Sequence, residues 1–201
     1  MTSELLFTGP ELCKFEAHEV VALLKAREIS SSDLIDAALT RIAQTGPLIN
    51  ATPTLCEARA RAVDLSSRDS TPAGWLAGLP ITIKDLNAVA DVRTTFGTKG
   101  LAGFIPQKSD PLVDQLEQRG AVILGKTNTP EFGAGGNTFN DVFGQTRNPW
   151  NTALNPGGSS GGAAASLAAG EIWLSHGSDH GGSLRTPAAY CGIVGLRPSP
   201  G

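Results

Sequence analysis

Short apolar runs that alternate with helical patterns do most to narrow the fold of this chain. The runs predict strands over 78–83, which ends at Lys84, and over 121–124, 172–175 and 191–196. Helical spacing predicts two helices within 17–46, the second capped at 30–32 and stopped by Gly46-Pro47, and others over 57–65, from Asp110-Pro111 to Gly120, and over 163–169. Such alternation predicts an α/β fold in which helices cover both faces of a sheet.

The composition indicates a globular protein and limits the classes of molecule that it is expected to bind. The 201 residues are 40% hydrophobic and 17% charged, with a net charge of −3, which argues against nucleic acid or an acidic membrane surface as the main partner. Cys13, Cys56 and Cys191 are too scattered for a disulfide framework or a metal site. With no basic and apolar leader and no membrane-length apolar run, we expect a cytoplasmic protein.

Two glycine-serine clusters carry the chemistry. Residues 157–162 are Gly-Gly-Ser-Ser-Gly-Gly, and residues 177–183 are Gly-Ser-Asp-His-Gly-Gly-Ser. Small residues around a serine expose its hydroxyl and free nearby backbone N–H groups, which acyl transfer needs for a nucleophile and for an oxyanion. Lys84, alone in the apolar run 79–85, supplies a candidate base.

The order of these motifs resembles the amidase signature family. The first cluster, an alanine-rich segment and a Gly-x-Asp-x-Gly-Gly-Ser-x-Arg run follow one another over 157–185. The two family serines fall at Ser159 and Ser183, and the family lysine falls at Lys84. Further phrases similar to those of the family occupy 125–132, 146–150 and 191–198, so the resemblance spans nearly the whole chain.

The resemblance implies a role for each matched side chain. Ser183 would be the nucleophile, and Ser159, on a cis peptide, would relay its proton to Lys84. A lysine pKa is ordinarily near 10.4, so Lys84 would act as a base only where burial lowers that value. Without the family pattern, a turn serine, a helix N-cap and a surface lysine are the ordinary interpretations of these three residues.

The same resemblance implies supporting groups around the nucleophile. The oxyanion hole would consist of backbone N–H groups, those of Ser183 itself and of His180, Gly181 and Gly182. Asp179 and Arg185 are expected to hold the loop through hydrogen bonds or a charge pair. Ser160 is a candidate cap for the helix over 163–169, and the His180 ring is given no role.

The resemblance also implies a fold and a domain boundary. The resemblance implies a mixed β-sheet flanked by helices on both faces, in a catalytic domain roughly twice the length of this chain and longer than a usual domain. We therefore expect residues 1–201 to form a single, incomplete amidase domain that lacks its C-terminal half. Within it, a helical N-terminal region covers about 10–68 and a catalytic core covers about 74–201.

Two stretches of the chain also fit the sequence expressions of unrelated functional motifs. Residues 120–127 fit the P-loop expression GxxxxGK[ST], but the four intervening residues, Ala-Val-Ile-Leu, favour a strand over a phosphate-binding loop. Residues 157–161 fit the hydrolase elbow GxSxG. That triad needs a later acid and histidine, and His176 and His180 lie too close in sequence to supply it.

We therefore expect an amidohydrolase acting on a linear, small-molecule amide through a Ser183 acyl-enzyme, with a Ser159/Lys84 proton relay. No cofactor or metal is implied, and a homodimer stays open. One alternative is an amidotransferase A-type subunit that releases ammonia from glutamine, against which Pro200 counts because that family typically has an aromatic residue there. The other alternative is an inactive truncated fragment.

Overall fold

A computed structural model of the chain describes residues 8–65 and 73–199, so the expectation on Pro200 lies outside the described residues. The helices are α1 Ala17–Ala26, α2 Ser31–Ile49, α3 Glu57–Arg61, α4 Pro111–Gln118, α5 Gly161–Ala168 and α6 Arg185–Cys191. The strands are β1 Thr54–Leu55, β2 Pro80–Lys84, β3 Val122–Thr127, β4 Phe139–Asn140, β5 Gly144–Gln145 and β6 Leu174–His176. Over the described ranges, no helix is long and apolar enough to cross a membrane.

Four strands form a mixed sheet in the order β1-β3-β2-β6, which confirms the predicted mixed α/β fold. Strand β2 runs parallel to β3 and to β6, whereas β1 runs antiparallel to β3. Parallel strands end at a common edge of the sheet. Lys84, Thr127 and His176, the last residues of β2, β3 and β6, therefore lie along one edge.

Apolar side chains pack on both faces of this sheet. Successive residues of a strand point to opposite faces. On β3, Ile123 belongs to a cluster that includes buried residues of α1 and α4 (Val20, Leu24 and Val113). Val122 and Leu124 belong to a second cluster with residues of α2 and α3 (Ile35, Ala38, Ile42 and Ala60). The predicted cover of helices on both faces is therefore present.

Helix α2 departs from the sequence prediction at its end. Its start is as predicted, because the Ser30 hydroxyl accepts a hydrogen bond from the Asp33 N–H while the Asp33 carboxylate accepts one from the Ser30 N–H. The predicted stop at Gly46-Pro47 is wrong, since the helix continues to Ile49. Ile49 is buried against Ala165 and Ala169, and that burial stabilises a last turn that proline alone would disfavour.

The predicted strand over 191–196 is absent. Cys191 instead ends helix α6, which the sequence analysis missed, and Gly192 takes a left-handed conformation with φ 69° that closes it. Val194 and Leu196 then lie exposed, with no neighbouring strand to bury them. An apolar run becomes a strand only where a neighbouring strand can pair with it, and the described residues provide no such strand here.

Strand β3 is longer than predicted and excludes a P-loop. It runs to Thr127, so Gly125 and Lys126 lie inside the strand and not in an exposed loop. A Cβ atom on Gly125 would lie 2.6 Å from the carbonyl oxygen of Thr54, which shows how closely β1 packs here. Helix α3, in turn, ends at Arg61, short of the predicted 65.

Candidate active site

The edge of the sheet brings Lys84 to the glycine-serine clusters. Lys84 ends β2, the first cluster forms the turn that begins α5, and the second follows β6. The Lys84 side chain is 0% exposed. Its Nζ lies 2.6 Å from Ser159 Oγ, 2.9 Å from Ser160 Oγ and 2.9 Å from Ser178 Oγ. Two of the three serines were singled out from the sequence, and Ser178 was not.

Burial changes the protonation of Lys84. Removal from water disfavours the ammonium form and lowers its pKa from 10.5 to about 7, against the opposing attraction of the Asp179 carboxylate. A substantial fraction of Lys84 is therefore neutral near pH 7. The amine can accept a proton in the cell's ordinary pH range, which an exposed lysine cannot do.

The turn at 157–160 differs in part from what was expected. The Gly158–Ser159 peptide bond is cis, as the family resemblance implied for this serine. Ser160 occupies the N-cap position of α5, but its hydroxyl makes no capping bond, so the capping role expected for it is wrong. The Ser160 hydroxyl instead lies 3.1 Å from the Ser178 carbonyl and accepts a hydrogen bond from the Ser178 N–H at 3.2 Å. Ser160 thereby ties the two clusters together.

Ser183, the last residue of the second cluster, lies beside this turn and just before α6. The N–H of Ser160 donates to the Ser183 carbonyl at 3.1 Å, which fixes the backbone of Ser183 next to Ser159. The Ser183 side chain is partly exposed, as a nucleophile that meets a substrate must be. The segment 157–161 follows a loop and not a strand, which excludes the hydrolase elbow.

Asp179 organises the backbone around Ser183. Its carboxylate accepts hydrogen bonds from the N–H groups of Gly182 at 2.7 Å, Leu184 at 3.2 Å and Arg185 at 3.3 Å. The Arg185 guanidinium adds two bonds, each 3.0 Å long. This ion pair, together with the N–H donors, holds the pKa of Asp179 well below its usual range. Asp179 and Arg185 thus make the loop contacts expected of them.

The Gly182 contact differs from the oxyanion hole that the resemblance implied. The Gly182 N–H is directed to Asp179, so it is not available to an oxyanion in this structure. Within the described part of the chain, the N–H groups of His180, Gly181 and Ser183 meet no protein acceptor. Those three amides are the candidate oxyanion donors.

A cavity of about 420 Å³ is lined by the segment 130–141 together with Gly97 and Lys99, and none of Lys84, Ser159 and Ser183 lines it. Pro130, Glu131 and the backbone of 134–137 line part of it. Gly158 packs so closely against this wall that a Cβ atom there would lie 2.9 Å from the Asn137 nitrogen. Asn137 therefore both lines this cavity and packs against the turn that carries Ser159.

A mixed sheet with a buried lysine held against a Ser-Ser turn is the arrangement expected of the amidase signature family. The Amidase family model matches residues 33–201. The match covers most of the chain, and the protein belongs to the amidase signature family.

Known relatives agree with this assignment. The chain is 45% identical over 195 residues to the A-type subunit of glutamyl-tRNA(Gln) amidotransferase from Carboxydothermus hydrogenoformans, covering 95% of this chain and 40% of that protein. Among solved structures, 6-aminohexanoate cyclic dimer hydrolase superposes with a TM-score of 0.82 at 35% identity, covering 90% of this chain and 37% of that one. The corresponding amidotransferase subunit from Thermotoga maritima gives 0.76 at 32% identity, covering 94% and 39%. The chain thus spans about 40% of the length of such relatives.

Proposed function

We propose that the protein is an amidase that hydrolyses a carboxamide C–N bond through an acyl-enzyme on Ser183. The observation that carries the proposal is the fully buried Lys84 amine, whose Nζ lies 2.6 Å from Ser159 Oγ. The chain spans about 40% of its relatives' length, so the activity of such a whole protein is proposed for this chain and is not inferred from the similarity alone.

Hydrogen counting supports Ser159 as the relay. A neutral amine has two hydrogens and one lone pair, so one of the three serines around Lys84 must donate to it. The Ser160 hydrogen is directed to the Ser178 carbonyl at 3.1 Å, which leaves Ser159 and Ser178 as donors. Ser159, at 2.6 Å, is closer than Ser178 at 2.9 Å. In this proposal Ser159 passes its own proton to Lys84 while it accepts one from Ser183, whose backbone carbonyl is bonded to the neighbouring Ser160 N–H.

The proposed reaction uses these groups in order. Ser183 Oγ attacks the carbonyl carbon, its proton moves to Ser159, and the Ser159 proton moves to Lys84. The N–H groups of His180, Gly181 and Ser183 stabilise the oxyanion, and the loss of one such donor typically costs about 10²–10³ in rate. The C–N bond breaks as Lys84 returns a proton, through Ser159, to the leaving nitrogen. Water then cleaves the acyl-enzyme by the same relay.

The substrate in this proposal is a small, linear amide. The proposal places part of it in the cavity of about 420 Å³, whose lining residue Asn137 packs against Gly158. The relay needs only side chains of this chain, so the proposal includes no cofactor. A cytoplasmic location fits the three cysteines, all of which are free thiols.

The second candidate is the glutaminase step of an amidotransferase. Its support is the 45% identity to the A-type amidotransferase subunit, a protein whose name gives glutamyl-tRNA(Gln) as its substrate. The same relay would release ammonia from glutamine. Ammonia release from glutamine, compared with release from simple aliphatic and aryl amides, separates the two candidates. Activity on glutamine alone, and only with partner subunits present, would favour the amidotransferase.

Labelling with a serine-directed fluorophosphonate tests the proposal itself. We expect one adduct by intact mass, mapped to Ser183, and none in Ser183→Ala. Ser199→Ala, which removes an exposed serine outside the site, is the matched control and should label normally. If the 201-residue chain takes no label while a full-length relative does, the chain carries the motifs of the family but is an inactive fragment.

A further inference from the structure

A second buried lysine lies next to the candidate base. Lys126 of β3 is 0% exposed. Its Nζ donates to Asp85 Oδ1 at 3.0 Å, to the Asn87 carbonyl at 2.8 Å and to Thr94 Oγ1 at 2.9 Å. An ammonium has three hydrogens, so Lys126 is fully satisfied by groups that all lie in the segment 85–94.

Asp85, the residue after Lys84, is equally well held. Its carboxylate accepts the Thr95 hydroxyl at 2.6 Å and the Thr95 N–H at 3.1 Å, besides the Lys126 ammonium. Asp85 itself is 1% exposed. A buried carboxylate without such partners is costly, and breaking a buried pair leaves an uncompensated charge. The two residues together close the segment 85–95 onto β3.

Strand register places this pair on the face opposite to Lys84. Ile83 pairs with Lys126, and Lys84 pairs with Thr127. The Asp85 N–H continues the ladder with a 3.0 Å bond to the Thr127 carbonyl. Since side chains alternate along a strand and paired residues share a face, Asp85 and Lys126 lie on one face and Lys84 on the other.

We propose that Asp85 and Lys126 are a positioning pair for Lys84. They fix the end of β2 and keep the adjacent carboxylate engaged on the far face, so that the Lys84 amine meets only the serine hydroxyls. This inference rests on the proposed function, because a positioning role matters only if Lys84 is the base. To act as a base, Lys84 must have no carboxylate partner.

The charges around the two lysines give the pair a measurable effect. Asp179 attracts the Lys84 ammonium. His176 of β6, which pairs with Ile83 of β2, lies close enough for both lysine charges to lower its pKa. Around Lys126, burial disfavours the charge, while Asp85, Cys56 and Asp110 favour it. Without Lys126, the Asp85 carboxylate keeps its Thr95 donors but loses its counter-ion, and Lys84, the preceding residue, is then the nearest lysine in sequence.

NMR titration of the lysines tests the inference directly. Lysine is labelled with ¹³C at Cε in the 201-residue chain, and Lys84→Ala identifies the Lys84 signal. In Lys126→Met we expect the pKa of Lys84 to rise by about one unit, because an unpaired buried carboxylate favours the ammonium form. The matched control is Arg59→Met, which breaks a half-buried ion pair of 2.7 Å with Glu117 on other elements, and should leave Lys84 unchanged.

A Lys84 titration in Lys126→Met that overlays the wild-type curve overturns the inference. If Lys126→Met does not fold, Asp85→Asn keeps the side-chain shape and serves instead. There, the pKa of Lys126 should fall by more than that of Lys84, and an equal or larger fall at Lys84 overturns the inference. The lysine titration does not depend on catalytic turnover. It therefore tests the positioning role of Asp85 and Lys126 even if the chain does not label with fluorophosphonate.

Discussion

At the scale of single residues, burial is what converts Lys84 into a candidate base. Its pKa is lowered from 10.5 to about 7 by burial. Only the neutral amine accepts a proton, so we expect the rate of Ser183 labelling to rise with pH and to reach half its maximum near pH 7. The measurement is the labelling rate from about pH 5 to about pH 9. A rate that does not change over this range would rule out Lys84 as the base.

The profile has one confounder, because Glu171 is also fully buried with a pKa raised by burial from 4.5 to about 7. The Thr45 hydroxyl lies 2.6 Å from Glu171 and 2.9 Å from the Arg41 carbonyl, yet it has one hydrogen. A protonated Glu171 resolves this conflict, since it donates to Thr45, which donates onward. The carboxyl of Glu171 is bonded to Thr45 and Thr52, outside the candidate site, so if Lys84 is the base the labelling profile of Glu171→Gln matches that of the wild type.

Glu171 carries a prediction on stability. A carboxyl whose folded pKa is raised stabilises fully below pH 4.5 and progressively less as the pH rises to about 7. Glutamine mimics the protonated form at every pH. We expect Glu171→Gln to equal the wild type near pH 4 and to be more stable at pH 8 by about 3 kcal/mol, at about 1.4 kcal/mol per pKa unit. Urea unfolding at both pH values measures this, and an equal or lower stability of Glu171→Gln at pH 8 would contradict it.

Sequence patterns located the candidate residues but not the details of their contacts. Lys84, Ser159 and Ser183 come from elements far apart in the chain, and motif order alone was enough to group them. Ser178 was missed, although it lies within the second cluster, because a hydroxyl's partner depends on which side chain reaches it. Likewise, Gly182 donates to Asp179 for reasons of loop geometry that no motif displays.

At the scale of elements, α5 depends on glycine to approach the sheet. A Cβ atom on Gly162 would lie 2.6 Å from the Asn128 carbonyl oxygen and 2.8 Å from that of Ala51, both backbone atoms that cannot rotate away. We expect Gly162→Ala to destabilise the fold by about 1–3 kcal/mol, the usual cost of overpacking. Denaturant unfolding is the measurement. Gly100→Ala, where a Cβ atom meets nothing within 4 Å, is the control, and an equal effect in both variants would refute the close-approach explanation.

The elements themselves were predicted where local pattern and packing agree. Strands β2 and β3 are apolar runs buried on both faces, and both were found from the sequence. Helix α6 was missed because its seven residues, Arg-Thr-Pro-Ala-Ala-Tyr-Cys, lack a helical repeat and include a proline. The run 191–196 was wrongly predicted as a strand because its pattern is apolar. The sequence does not show that Val194 and Leu196 have no neighbouring strand to pack against.

At the scale of the whole molecule, the described surface exposes three large apolar side chains, at Trp150 and in the segment that follows α6. Trp150 is 71% exposed, Val194 93% and Leu196 78%. Trp150 is joined to the end of α6 by a 2.7 Å hydrogen bond from its indole N–H to the Cys191 carbonyl. We infer that these side chains form one apolar patch, a feature that is uncommon on monomeric proteins when it is large.

This patch predicts that the 201-residue chain associates with itself as its concentration rises. Replacing Val194 and Leu196 by lysine should weaken association by about 10- to 150-fold for each side chain, since burying one contributes about 1.5–3 kcal/mol. Sedimentation velocity over a concentration series measures this. The control replaces Leu48 and Ile105, two exposed apolar residues on other elements, by lysine. If that control weakens association equally, the added charge and not the patch is the cause, and a wild-type chain that stays monomeric throughout contradicts the prediction outright.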